Sequence, residues 1–190
     1  MAALRPQTLD DQVIEGQVAL QPATGQRWSA GVESRRERLD NEALPGGHGA
    51  VGHRAAFAQA ELAPVRTMAV TLGVRHDHHE RFGDEWSPRA YAVWQPAGAQ
   101  SGWVVKGGLG HGFKPPTLKQ ISPGYKEDEG PYTYVGNATL RPETNDAAEV
   151  SVGWDGGRAG VQLTAFRNQV DALIITRLIG VVAGRNTYVF

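Results

Sequence analysis

Three histidines crowd one stretch, Arg75-His-Asp-His-His-Glu80, and imidazole with carboxylate makes good metal ligation. The spacing argues against a centre there. On an extended strand successive side chains alternate faces, so His76 and His78 share a face and His79 does not. The shared face is the apolar one of Val70, Leu72 and Val74, so the trio reads as a polar strand end, with no metal site. Gly107-Gly-Leu-Gly-His-Gly112 superficially offers a phosphate cradle, but it lies inside a strand with no helix after it to supply amide donors. The chain has no cysteine, which excludes thiolate metal sites, disulfides and cysteine nucleophiles. No Ser/His/Asp arrangement stands out, so neither a catalytic residue nor a cofactor is expected. Glu127-Asp-Glu129 reads as a solvated loop. The best ligand candidate is the long connection from Lys114 to Asn145, with Lys119, Tyr125, Lys126, Tyr132 and Tyr134. Its ammonium groups and rings offer charge and stacking. The same tyrosines could equally pack the loop on itself.

The elements that position these residues are strands. Met68 to Asp77 sets Met68, Val70, Leu72 and Val74 against Thr71, Gly73, Arg75 and Asp77, a period of two that no helix keeps. Trp103 to Phe113, Glu149 to Trp154 and Val161 to Asn168 alternate likewise. Val13 to Gln21, Arg27 to Arg38, Ala55 to Ala63 and Arg89 to Gln95 complete about eight strands. In Arg89 to Gln95, Tyr91 and Trp94 compete for the outward face. The fold expected is all-β: an antiparallel up-and-down meander, curved and not necessarily closed, each strand pairing with its sequence neighbour.

The links alternate in length. Pro22 to Gln26, Pro64 to Thr67, Pro96 to Ser101 and Asp155 to Gly160 are short. Arg38 to His53, His78 to Trp86, Pro115 to Asn145 and Asp171 to Arg185 are longer. In a meander this gathers short turns at one end and long loops at the other, as in outer-membrane barrels. Trp94, Trp103 and Trp154 lie beside short turns, where an aromatic girdle facing membrane lipid would sit. The opposite parity carries Arg75, Asp77, Lys106, Glu149, Gln162 and Asn168, too polar for a dry core but suited to a wet or plugged lumen. Hydrophobic residues make up 41% of the chain and charged residues 21%, which disfavours disorder. The net charge of -1 gives no footprint for nucleic acid. No apolar run reaches the roughly 20 residues of a membrane helix, and Met1-Ala-Ala-Leu-Arg-Pro6 has no signal-peptide pattern. A soluble β-sandwich binding domain shares the periodicity and remains the alternative class.

Four stretches resemble the TonB-dependent receptors, in family order. They are Gly83-Asp-Glu-Trp-Ser-Pro-Arg-Ala-Tyr91, Gly108-Leu-Gly-His-Gly-Phe-Lys-Pro-Pro-Thr-Leu-Lys119, Gly136-Asn-Ala-Thr-Leu-Arg-Pro-Glu-Thr-Asn-Asp146 running into Glu149, and Thr164-Ala-Phe-Arg-Asn-Gln-Val-Asp-Ala-Leu-Ile174. Pro115 stands where the family usually has Ala. The wording is similar to the catecholate-siderophore and colicin-receptor branch. The resemblance implies structural motif roles for Gly110, Gly112, Phe113, Pro116, Gly136, Asn137, Pro142, Glu143, Glu149, Phe166 and Asn168. Arg141 and Glu143 are expected to pair and stiffen the turn into a strand beginning near Ala147. It further implies a bacterial outer-membrane protein that binds and imports a ferric siderophore, with the anionic catechol rings meeting the loop lysines and tyrosines; a cobalamin or haem receptor of the same family is the alternative ligand reading. Residues 1–190 are expected to form part of such a barrel, without the signal peptide and without the plug through which TonB acts. Asn186-Thr-Tyr-Val-Phe190 resembles the aromatic end signal of outer-membrane barrels, a likeness read as coincidence.

Overall fold

The computed structural model describes residues 6–190; the reading of the first residues as lacking a signal pattern lies outside them. The alternating segments form one antiparallel wall of eight strands. In chain order these are β1 (Gln7–Leu20), β2 (Gln26–Asn41), β3 (His48–Val65), β4 (Met68–His79), β5 (Gly83–Trp94) and β6 (Trp103–Lys114), followed, after an excursion, by β9 (Glu143–Asp155) and β10 (Gly160–Asp171). The excursion holds a short helix, α1 (Leu118–Ile121), and the strands β7 (Lys126–Glu129) and β8 (Tyr132–Val135). Beyond β10 come β11 (Arg177–Val182) and β12 (Arg185–Val189). The wall order is β1-β2-β3-β4-β5-β6-β9-β10, with β1 and β10 as its edges.

All eight expected strands are present and longer than expected. Wall strands run from 12 to 18 residues. Spanning a bilayer takes about 9–11, so their loop-side ends extend past the apolar band. The extension consumes the links. Residues 42–47 join β2 to β3, and residues 80–82 alone join β4 to β5, where longer loops were expected. The strand after Pro142 starts at Glu143 rather than near Ala147, because Glu143 to Asn145 pair with Gly112 to Lys114.

The cross-strand register sorts the faces. Met68 pairs with Trp94, Trp94 with Val105, Val105 with Val152 and Val152 with Leu163, a continuous apolar row. This settles β5: Trp94 faces outward, and the Tyr91 ring lies over Gly108 on the polar face. A Cβ at Gly108 would stand 2.5 Å from Tyr91 Cδ2, so glycine is required for the close approach. On the polar face Arg75 Nη2 reaches Glu33 Oε2 at 3.2 Å and Arg75 Nε reaches Asp77 Oδ1 at 2.9 Å. Arg35 pairs with Asp11, and Arg89 Nη2 donates to Gln59 Oε1. Pairing of this kind lets charges line a lumen at small desolvation cost.

A second, four-stranded sheet was not foreseen. Its order is β11-β12-β8-β7, and β8 runs parallel to β12. Pairing between sequence neighbours holds throughout the wall and for β7 with β8 and β11 with β12; it fails only where β8 meets β12, because these two rise from different loops at the same end of the wall. The packed core also sits at this end. Leu39, Leu44, Leu118 and Tyr125 are buried together, with Ala43, Val51 and Phe190 against them.

Candidate functional site

The long link between β6 and β9 is a built structure. Thr117 caps α1 in a reciprocal box: its Oγ1 accepts from Gln120 N at 3.4 Å, and Gln120 Oε1 accepts from Thr117 N at 2.8 Å. Pro116 precedes the cap, where its missing N–H does no harm. Leu118 and Ile121 turn inward. Arg81 Nη2 donates to the Ile121 carbonyl at 3.2 Å, and Lys126 N donates to the Ala43 carbonyl at 3.4 Å, tying the loop to two wall turns.

Gly136 and Asn137 explain themselves physically. A Cβ on Gly136 would lie 2.2 Å from the Ser122 carbonyl oxygen. Asn137 N donates to the Gln120 carbonyl at 2.6 Å, its Nδ2 donates to the Phe190 carbonyl at 2.9 Å, and its Oδ1 accepts from Thr139 N at 3.0 Å. Glu143 does not pair with Arg141 as expected. Its Oε2 takes Lys114 Nζ at 3.0 Å and its Oε1 takes Ile174 N at 2.7 Å. The correction follows from register: Lys114 stands directly opposite Glu143 on β6. The Ile174 amide first, and Lys114 second, hold the Glu143 carboxyl below its ordinary value.

Four further motif residues converge. Gly110, Glu149, Phe166 and Asn168 line one hollow of about 550 Å³ on the polar face, with Arg89 and Tyr91 across from them. Phe166 is opposite Glu149 in register, and Glu149 is opposite Gly108. Gly112 and Phe113 lie outside it, near the loop end of β6, opposite Asn145 and Thr144.

The proposed ligand residues divide. Tyr125 is 1% exposed and donates its hydroxyl to Glu127, so its ring belongs to the core. Lys119 Nζ lies 3.5 Å from Glu127 Oε2 and 5.9 Å from the centre of the Tyr125 ring. Lys126 begins β7 and is exposed. Tyr132 and Tyr134 stand on β8, flanking Tyr188 of β12, with ring centres 5.9 Å and 5.8 Å away; Tyr134 also stacks on Phe190 at 6.1 Å. The chain's last residues therefore work in the loop sheet. Tyr188 went unnoticed as a site residue because its partners come from a loop over 50 residues earlier.

His76 and His78 share an outward face as expected. His76 Nε2 and His78 Nδ1 lie 3.2 Å and 2.9 Å from Asp84 Oδ1. His79 turns to the other face, beside His53 and Phe82. Trp94, Trp103 and Trp154 stand at the short-turn end, and Trp103 and Trp154 are direct cross-strand partners. Trp28 joins them, opposite Leu20 and Ala60. Its place two residues after the Pro22 to Gln26 turn was the available signal.

Comparison with known proteins agrees with this architecture. The sequence model of the family described as TonB dependent receptor-like, beta-barrel matches residues 16–189. The chain belongs to the TonB-dependent receptor β-barrel family. It is 31% identical over 169 residues to the iron-regulated outer membrane virulence protein of Vibrio cholerae serotype O1, covering 86% of this chain and 25% of that protein. It is 32% identical over 123 residues to the ferrienterobactin receptor of Escherichia coli K12, covering 59% of this chain and 16% of that protein. The crystal structure of the siderophore receptor PirA from Pseudomonas aeruginosa matches the fold with a TM-score of 0.87 at 24% identity, over 98% of this chain and 37% of that one. The chain thus spans about a quarter or less of the curated relatives it matches. As a TonB-dependent receptor barrel it belongs to the outer membrane, to a family of receptors and transporters rather than enzymes, and the soluble-sandwich alternative falls away.

Proposed function

We propose that the protein is a receptor for a ferric siderophore of the catecholate class, bound at the loop end of the barrel and imported through it. The observation that carries this reading is the aromatic row Tyr132, Tyr188, Tyr134 and Phe190 on the loop sheet, beside a helix bearing Lys119 and a strand opening with Lys126. Catechol rings stack on such rows, and the anionic iron complex draws lysine ammonium groups. Tyr125 supports from beneath, positioning Lys119 over its ring. The names of the relatives, ferrienterobactin receptor among them, support the ligand class. TonB acts through a plug domain, and the hollow around Glu149, Phe166 and Asn168 faces the lumen that the plug fills.

The test is binding of ferric enterobactin, haem and cobalamin to the full-length receptor in detergent, followed by tryptophan quenching. Saturable binding of the ferric catecholate alone is expected. Tight haem or cobalamin binding without it overturns the reading.

A further inference from the structure

His79 ends β4 beyond the apolar band, where the wall meets the long loop, and it is 4% exposed. Its Nδ1 accepts a hydrogen bond from the Arg81 amide at 3.2 Å, while its carbonyl accepts from the Phe82 amide at 3.1 Å. These two bonds shape the tight turn of residues 80–82. That turn aims Arg81, whose guanidinium holds the Ile121 carbonyl at the end of α1. Only a neutral imidazole can accept at Nδ1, because both ring nitrogens of the cation are donors. Protonation would set two N–H groups against each other in a buried place.

We infer that His79 is an acid-sensitive latch: protonating it releases the Arg81 turn, and with it α1 and the long loop, from the rim of the wall. The charged groups around His79 are His53 on β3, Glu80 and Arg81 in the turn that follows, and His78 beside it on the opposite face of β4. Among them only Glu80 favours the cation, and its Oε2 is engaged by the Gly52 amide at 2.7 Å. Asp77 nearby is occupied by Arg75, and His53 Nε2 stands 2.9 Å from the same carboxylate oxygen. Burial first, and then His53, hold the His79 imidazole below its ordinary value. The undocked state, with an ordinary histidine, therefore binds more protons than the docked one. Docking is at full strength above about pH 6.5 and weakens as pH falls below it. The inference concerns the loop itself and is independent of which ligand the receptor takes.

The test is hydrogen exchange of residues 117–137 in the full-length receptor at pH 7.5 and 5, corrected for the intrinsic pH dependence of exchange. Several-fold faster exchange at pH 5 is expected in this segment, with β4 and β5 unchanged. His79→Asn keeps a side-chain acceptor for the amide two residues on and does not titrate, so it should abolish the acid response. Arg81→Met should give the fast exchange already at pH 7.5 and little further change on acidification. An unchanged segment in the wild type, or an acid response that survives in His79→Asn or Arg81→Met, overturns the latch.

Discussion

Asn137 Nδ2 donates to the Phe190 carbonyl at 2.9 Å, across 53 positions of chain, and so joins the excursion between β6 and β9 to the residue that follows β12. With its bonds to Gln120 and Thr139, one side chain and one amide organise the meeting of three segments.

Asn137→Ala should cost about 0.5–1.5 kcal/mol of loop docking, the usual net worth of a hydrogen bond whose partners are only half-buried. Hydrogen exchange should rise in residues 132–135 and 185–189 and stay unchanged in β2 to β5. Equal protection in both sheets would contradict the role given to Asn137.

Gly136→Ala should be harsher for its size than most such changes, because the added methyl meets the Ser122 carbonyl at 2.2 Å. Gly112→Ala meets nothing closer than Asn145 O at 3.9 Å and should be tolerated. Urea midpoints of the two variants, measured side by side, check the contrast.

The Glu143 carboxyl is held low by the Ile174 amide and Lys114, so its contribution is complete above the ordinary carboxylate range, about pH 4.5, and fades as pH falls through the lower folded value. Glu143→Gln should flatten the acid dependence of exchange at Ile174 while leaving the neutral-pH fold in place. The effect should be small, since Lys114 is largely exposed.

Tyr132→Ala and Tyr134→Ala should each weaken ferric catecholate binding by about twofold to tenfold, the range for losing one aromatic contact. Tyr125→Phe should change affinity little and Tyr125→Ala should unfold the loop core, as circular dichroism and binding together would show.

The 190-residue chain alone should not import ligand. β1 and β10 are open edges of 14 and 12 residues beside an exposed apolar face, and such edges aggregate. Ligand-specific uptake into liposomes by this chain would contradict that expectation.

The wall was legible because its information is local: Met68 to Asp77 declares its faces by alternation, and register follows from pairing with neighbours. Tyr91 against Trp94 could not be decided inside β5, because the answer lies on β6 at Gly108. The loop sheet was illegible for a related reason. β8 and β12 pair in parallel across distant chain, and neither Tyr132-Thr-Tyr-Val135 nor Arg185-Asn-Thr-Tyr-Val189 is long enough to show a period. Glu143 was assigned to Arg141 because sequence proximity is visible and cross-strand opposition to Lys114 is not.

Lys114 and Glu143 stand opposite each other where β6 ends and β9 begins, so the whole segment between them leaves and rejoins the wall at one rung. The ladder from Phe113 and Thr144 downward takes no part in what lies above that rung. Residues 115–142 therefore form a handle with both ends on one rung, latched again to the rim at Ala43 and Arg81, so a replacement insert would leave the register of β6 and β9 in place but would have to rebuild those ties and the core around Leu39 and Leu44.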